Sequence, residues 1–218
     1  IFGITSEKMF GPFRFVRIDI ESREVVEISY TGDIKEHIDL GGFFDVIDDN
    51  EDVIILHQEY FDTIDGSYVN QHYVYVIDKQ LDEITKMYTL DEYGSTHYET
   101  VNKLLLENEQ IVFITNETMD SKDIVVIDYN SDQIDVFTQE QNDIVLYLNE
   151  KHCIVTKDHR LNNTCRTIPE VNVDSIIELT KGVSLENEVL YDGEFVYIKD
   201  FKSMSVYSLG GILLQENE

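Results

Sequence analysis

Four segments of this chain superimpose on one another without a gap: FVRIDIESREVVEI from Phe15, VYVIDKQLDEITKM from Val74, IVVIDYNSDQIDVF from Ile124 and VYIKDFKSMSVYSL from Val196. Each centres on an aspartate (Asp19, Asp78, Asp128 or Asp200) preceded by four almost wholly apolar positions. Five residues past the aspartate the side chain is always polar: Glu24, Glu83, Gln133 and Ser205. Six past it the side chain is always apolar: Val25, Ile84, Ile134 and Val206. A short apolar run, a turn and then alternation is the pattern of an antiparallel hairpin, because successive strand side chains point to opposite faces. A carboxylate closing the first strand can accept N–H bonds from the turn, and so can a serine three residues on, here Ser22, Ser131 and Ser203. A repeated supersecondary unit constrains the fold more than composition does.

The rest of the chain agrees with a strand-built fold. Alanine, the best helix former, is absent, while Ile, Val, Tyr, Phe and Thr abound. Apolar runs of four to eight residues recur at Phe13–Ile20, Val53–Leu56, Tyr73–Ile77, Ile111–Thr115, Ile124–Ile127, Ile144–Leu148 and Phe195–Ile198. Turn clusters such as Asp65-Gly66-Ser67, Asn130-Ser131-Asp132 and Asp192-Gly193 separate them. The best helical stretch, Asp33–Leu40, is short. The fold class is therefore all-β.

The repeat resembles the third and fourth strands of a WD40-type blade: an apolar strand ending in Ile-Asp, a Ser three residues on, then a second apolar strand. The resemblance implies a β-propeller over most of the chain. No tryptophan stands before the aspartate, so this is a divergent WD40-like pattern, and the family's Asp–His network is not carried over. The aspartate anchors are spaced by 59, 50 and 72 residues. The last interval contains Ile144–Leu148, His152–Thr156 and Thr164–Ile168, read as three strands of a degenerate unit. The N-terminus reads as the later strands of a blade, Ile1–Thr5, Phe13–Ile20 and Val25–Tyr30. Three fuller units follow at Phe43–Leu90, Val101–Gln139 and Val173–Leu209. We therefore expect residues 1–218 to form one propeller domain of about five four-stranded blades, or part of a larger one. We also expect the segment around Ile212 to supply the strand missing from the N-terminal blade, since ring closure removes exposed sheet edges.

Charge narrows the function. The 218 residues hold 44 acidic and 16 basic side chains, a net charge of −28. A field of that sign repels nucleic acid and anionic membranes, and no apolar run is long enough to span a bilayer as a helix. With 42% apolar residues there is material for a core, which excludes a disordered acidic tail. Two cysteines are too few for a disulfide scaffold; the compartment stays open, with a lean to the cell interior. The start at Ile1 leads us to expect a fragment or a processed chain.

No phosphate-binding loop, dinucleotide fingerprint, nucleophile elbow or zinc-protease motif occurs, so a non-enzymatic protein without cofactor is expected. His152, Cys153, His159 and Cys165 have metal-binding chemistry, but neighbours on a strand point apart, so His152 and Cys153 are poorly placed to share an ion. The acidic runs Asp48–Asp52 and Asp62–Gly66 could offer oxygens to calcium, yet neither has the spacing of a calcium loop. Tyr68, Tyr93, His97 and Tyr98, with the nearby Asp62 and Asp65, sit in segments longer and more polar than the other connections. Tyrosine combines rigid contact area with a polar tip, which suits an interface. These six residues are the expected partner-binding set, and the expected partner is a basic protein. The alternative is an extracellular carbohydrate- or calcium-binding propeller, including a glycan hydrolase.

Overall fold

In a computed structural model, the described residues are 1–6, 13–64, 67–90, 102–106, 110–115, 121–140, 144–148, 150–156, 164–183, 187–199, 203–209 and 213–217. Residues 62–64, 67–69, 102–106, 115, 140, 216 and 217 are described by their backbone alone. The chain forms two compact units, Ile1–Thr100 and Val101–Glu218. Both are built mostly of strands, so the fold is all-β, with two short α-helices among the described residues.

The first unit opens with an antiparallel meander of three strands, β1 (Phe2–Ser6), β2 (Phe13–Ile18) and β3 (Val25–Glu27). Helix α1 (Gly32–Leu40) follows, within one residue of the helical stretch expected from sequence. A four-strand meander completes the unit: β4 (Phe43–Asp49), β5 (Val53–Ile64), β6 (Ser67–Asp78) and β7 (Glu83–Thr89). Alternation places Ile54, Leu56, Tyr73, Tyr75 and Ile77 on one face, where they form a core with Phe15, Ile28 and Ile38. The core therefore joins the first meander, the helix and the second meander. Gln58, wholly buried, ties the helix end to the sheet: its amide donates to the His37 and Gly41 carbonyls, and its oxygen accepts the Tyr75 hydroxyl. A buried amide is tolerated because its polar atoms find partners. Beside it, Gly42 has φ +110°, and a Cβ there would lie 2.3 Å from the Glu59 carbonyl oxygen. Only glycine fits this close approach of helix exit to strand.

Asp82, at φ 50° in the β6–β7 turn, locks the two meanders together. The Arg17 guanidinium of β2 donates two parallel bonds of 2.6 Å to its carboxylate. The Asp82 carbonyl accepts the Ser29 N–H, and the Ser29 carbonyl accepts the Ile84 N–H.

The second unit contains three meanders. The first is β8 (Asn102–Leu106), β9 (Gln110–Thr115), β10 (Ser121–Asp128) and β11 (Gln133–Glu140). The next is β12 (Val145–Leu148), β13 (Lys151–Thr156) and β14 (Thr164–Thr167), matching the three strands read from the long anchor interval. A two-residue parallel pairing, Thr164↔Leu105 and Cys165↔Leu106, joins β14 to β8, so these seven strands share hydrogen bonding. A core of Val112, Ile114, Ile124, Val126, Leu146, Cys153, Val155 and Cys165 packs the two meanders together.

A 3₁₀ turn (Glu170–Asn172) after Pro169 then leads into helix α2 (Val173–Thr180). The last meander is β15 (Glu188–Tyr191), β16 (Phe195–Lys199), β17 (Met204–Ser208) and β18 (Leu213–Asn217). It packs on the preceding one through Ile144, Ile154, Ile176, Val189, Tyr191 and Val196.

Two expectations are corrected here. The unit expected from Val173 opens with a helix: Val173, Ile176, Ile177 and Thr180 stand one helical face apart, and burying that face outweighs the weak helix propensity of β-branched residues. The C-terminal strand, expected to complete the N-terminal sheet, is among the described residues the fourth strand of the last meander. Among the described residues its ladder partner is β17, from Met204↔Asn217 to Tyr207↔Leu213, a pairing that needs only a short local turn. The strand counts of the five meanders are three, four, four, three and four.

Candidate functional site

The repeated aspartates do what their position implies. Asp19 Oδ1 accepts the Ser22 N–H at 2.8 Å. Asp78 Oδ1 accepts the N–H groups of Gln80 and Leu81 at 2.8 and 2.9 Å, and Asp128 Oδ1 those of Asn130 and Ser131 at 2.9 and 3.0 Å. Four residues past each of these three anchors stands a left-handed residue: Arg23, Asp82 and Asp132, with φ of 60°, 50° and 60°. The turn thus repeats in its backbone as well as its sequence. Asp200 lies outside the described residues. Backbone N–H bonds, first that of Ser22 for Asp19 and of Ser131 for Asp128, hold both carboxyls below the usual aspartate range. These acids are structural.

Of the six expected partner-binding residues, Asp62 and Tyr68 have a described backbone. Both lie on strands rather than in a loop: the β5–β6 ladder continues through Asp62↔Val69 and Thr63↔Tyr68 to Ile64↔Ser67. The alternating Tyr, Phe, Val and Thr residues there favour a long hairpin arm. Asp65, Tyr93, His97 and Tyr98 lie outside the described residues.

The acidic run Asp48–Asp52 forms the β4–β5 hairpin tip. Asn50 Oδ1 accepts the Asp52 and Val53 N–H groups, Asn50 Nδ2 donates to Asp48 Oδ2, and Lys79 pairs with Asp49. Cys153 and Cys165 form no disulfide and are buried in the same core, while the His152 ring stands 4.8 Å from Tyr147. Among the described residues, no three His, Cys, Asp or Glu side chains converge on a point suited to an ion. His57 and His72, cross-strand neighbours on β5 and β6, are both buried and share a hydrogen bond of 2.9 Å between ring nitrogens. One of the two bonded nitrogens must lack a proton, so the pair cannot be doubly protonated while the bond stands.

The second unit holds a cavity of about 290 Å³ lined by Thr156, Arg166, Leu190, Tyr191, Asp192 and Tyr197. Register explains who meets there. Arg166 lies opposite Ile154 on β13–β14, and Ile154 belongs to the core shared with the last meander. Leu190 lies opposite Tyr197, so both stand on one face of β15–β16. The β15–β16 turn is closed by Asp192, whose Oδ1 accepts the Glu194 and Phe195 N–H groups at 2.8 Å each. Its Oδ2 accepts the Tyr197 hydroxyl at 2.8 Å. The Phe195 N–H leads the causes that hold Asp192 below the usual aspartate range, and the bond to Asp192 raises the Tyr197 phenol. Burial raises the Tyr191 phenol, which donates to the Gly193 carbonyl. Arg166 Nη1 donates to the Tyr191 carbonyl at 3.1 Å.

Sequence reading marked Asp192-Gly193 as a turn and passed over Arg166. The signal available was scarcity: a strand-borne arginine is conspicuous among 44 acids and 16 basic residues. No protein-family model matches this sequence, and no curated protein is similar to it.

Proposed function

We propose that the five meanders are blades of a divergent β-propeller and that the protein is a non-enzymatic platform for a basic protein partner, as a subunit or domain of a larger assembly. The observation that carries the reading is the unmatched charge. If each of the 16 basic residues neutralised one acid, 28 carboxylates would still lack a cation within the chain. Such a surface draws in positively charged partners and speeds their encounter. The blade reading is supported by the repeated aspartate turn and by cores that join sequence-adjacent meanders within each unit. The expected partner-binding set, Asp62, Asp65, Tyr68, Tyr93, His97 and Tyr98, is the first target for mutation.

The test is binding of the full chain to a panel of basic and acidic proteins at two salt concentrations. Affinity confined to basic members and falling about tenfold or more between ~50 and ~500 mM salt is expected. Binding indifferent to ionic strength, or equally tight to acidic members, overturns the electrostatic reading. An experimental structure with the sheets stacked as a sandwich, rather than radiating about an axis, overturns the propeller.

A further inference from the structure

The cavity beside β14 has a chemistry that the interaction surface does not account for. Most of its polar groups are already engaged within the protein. Asp192 receives two backbone N–H bonds and the Tyr197 hydroxyl, Tyr191 donates to Gly193, and the Thr156 hydroxyl bonds that of Thr164 at 2.9 Å. Arg166 is different. A guanidinium carries five N–H donors, and only the bond to the Tyr191 carbonyl engages it among the described residues. The ion pairs of those residues join Arg17 to Asp82, Lys35 to Asp39, Lys79 to Asp49 and Lys199 to Glu188, and Arg166 is in none of them. Arg14, Arg23, Lys151 and Lys181 are in none of these pairs either; what sets the exposed Arg166 apart is that it lines the cavity, sharing its wall with Asp192.

We propose that this cavity binds a small monocarboxylate with an apolar body, its carboxylate held by Arg166 and its body lying against Leu190 and the Tyr191 and Tyr197 rings. A planar guanidinium matches a carboxylate with two parallel bonds. Leucine and two phenol rings give the apolar wall that small-molecule sites share, and a cavity of about 290 Å³ is at the small end of such sites. The ligand carries one negative charge, because a single cation faces it while ionised Asp192 stands in the same wall. No second cation in the lining is placed to neutralise a further negative charge. The inference does not rest on the propeller or on the basic partner.

The experiment titrates the full chain with phenylacetate and 4-methylpentanoate, each against its primary amide, and with inorganic phosphate, read by ligand-observed NMR. We expect at least one acid to bind about tenfold or more tightly than its amide, and phosphate not to compete. Arg166→Gln should erase the preference for acid over amide, and Arg166→Lys should keep part of it. The acid–amide comparison on the unaltered chain decides the matter even if Arg166→Gln fails to fold. Equal binding of acids and amides, no binding of either acid, phosphate binding as tightly as the acids, or an unchanged preference in a folded Arg166→Gln overturns the proposal.

Discussion

Single side chains set the turns, and the turns set the registers of the hairpins they close. Asp128 accepts two turn N–H groups, so Asp128→Ala should lower stability by about 1 kcal/mol in urea denaturation, as loss of a helix N-cap does. Asp128→Asn, which keeps the accepting oxygen, should cost less than half as much. Gly42 has no such tolerance. An added Cβ would meet backbone 2.3 Å away at a φ that side chains avoid, so Gly42→Ala should cost about 2 kcal/mol or more. If Gly42→Ala unfolds at the same urea concentration as the parent, the helix exit does not sit as described. The anchor aspartates were legible because a carboxylate ahead of a polar turn has a local job. Arg166 and Gln58 were not, because their neighbours come from residues 17 to 25 positions away in sequence.

Individual strands and helices divide along the same line between local and distant causes. The three strands of the β12–β14 meander and the short helix α1 could be placed from sequence, since each follows from its own pattern of apolar and turn residues. Helix α2 could not. Eight residues rich in Ile and Val look like a strand, and they become a helix because Ile176 is wholly buried in the core that α2 shares with β12, β13, β15 and β16. Ile176→Ala should therefore destabilise the second unit by about 2–4 kcal/mol, the usual cost of a cavity in a packed core. Ile177→Ala, on the less buried neighbouring position, should cost distinctly less. The C-terminal strand escaped for another reason. The Leu-Leu-Gln-Glu-Asn run leaves the partner strand open, and local closure on β17 decided it.

For the molecule as a whole, a net charge of −28 means self-repulsion, so added salt should raise the melting temperature until screening saturates near ~0.5 M. Acid acts in two opposing ways. Between neutrality and the isoelectric point near 4.3, carboxylates take up protons and repulsion falls, which stabilises the fold. The folded-state pKa values of Asp19, Asp82, Asp128 and Asp192 lie below the ordinary aspartate value. Their stabilisation is therefore complete above that ordinary value and is lost as pH falls below it, through the depressed folded-state values. Melting temperature against pH should rise from pH 7 towards about 5 and drop steeply below about 4. A monotonic decline from neutrality would show that turn carboxylates, not repulsion, dominate throughout. Arg17→Met should make the acid limb shallower, because Asp82 loses the cation that leads the causes of its lowered pKa.

The seating of β18 on β17 also bears on time. Among the described strands, every ladder but the β8–β14 pair joins sequence neighbours. A chain whose pairings are local can build them in the order of synthesis, each hairpin closing soon after its second strand emerges, and low contact order favours fast folding. With β18 beside β17, the last described meander can close as soon as its own four strands are made.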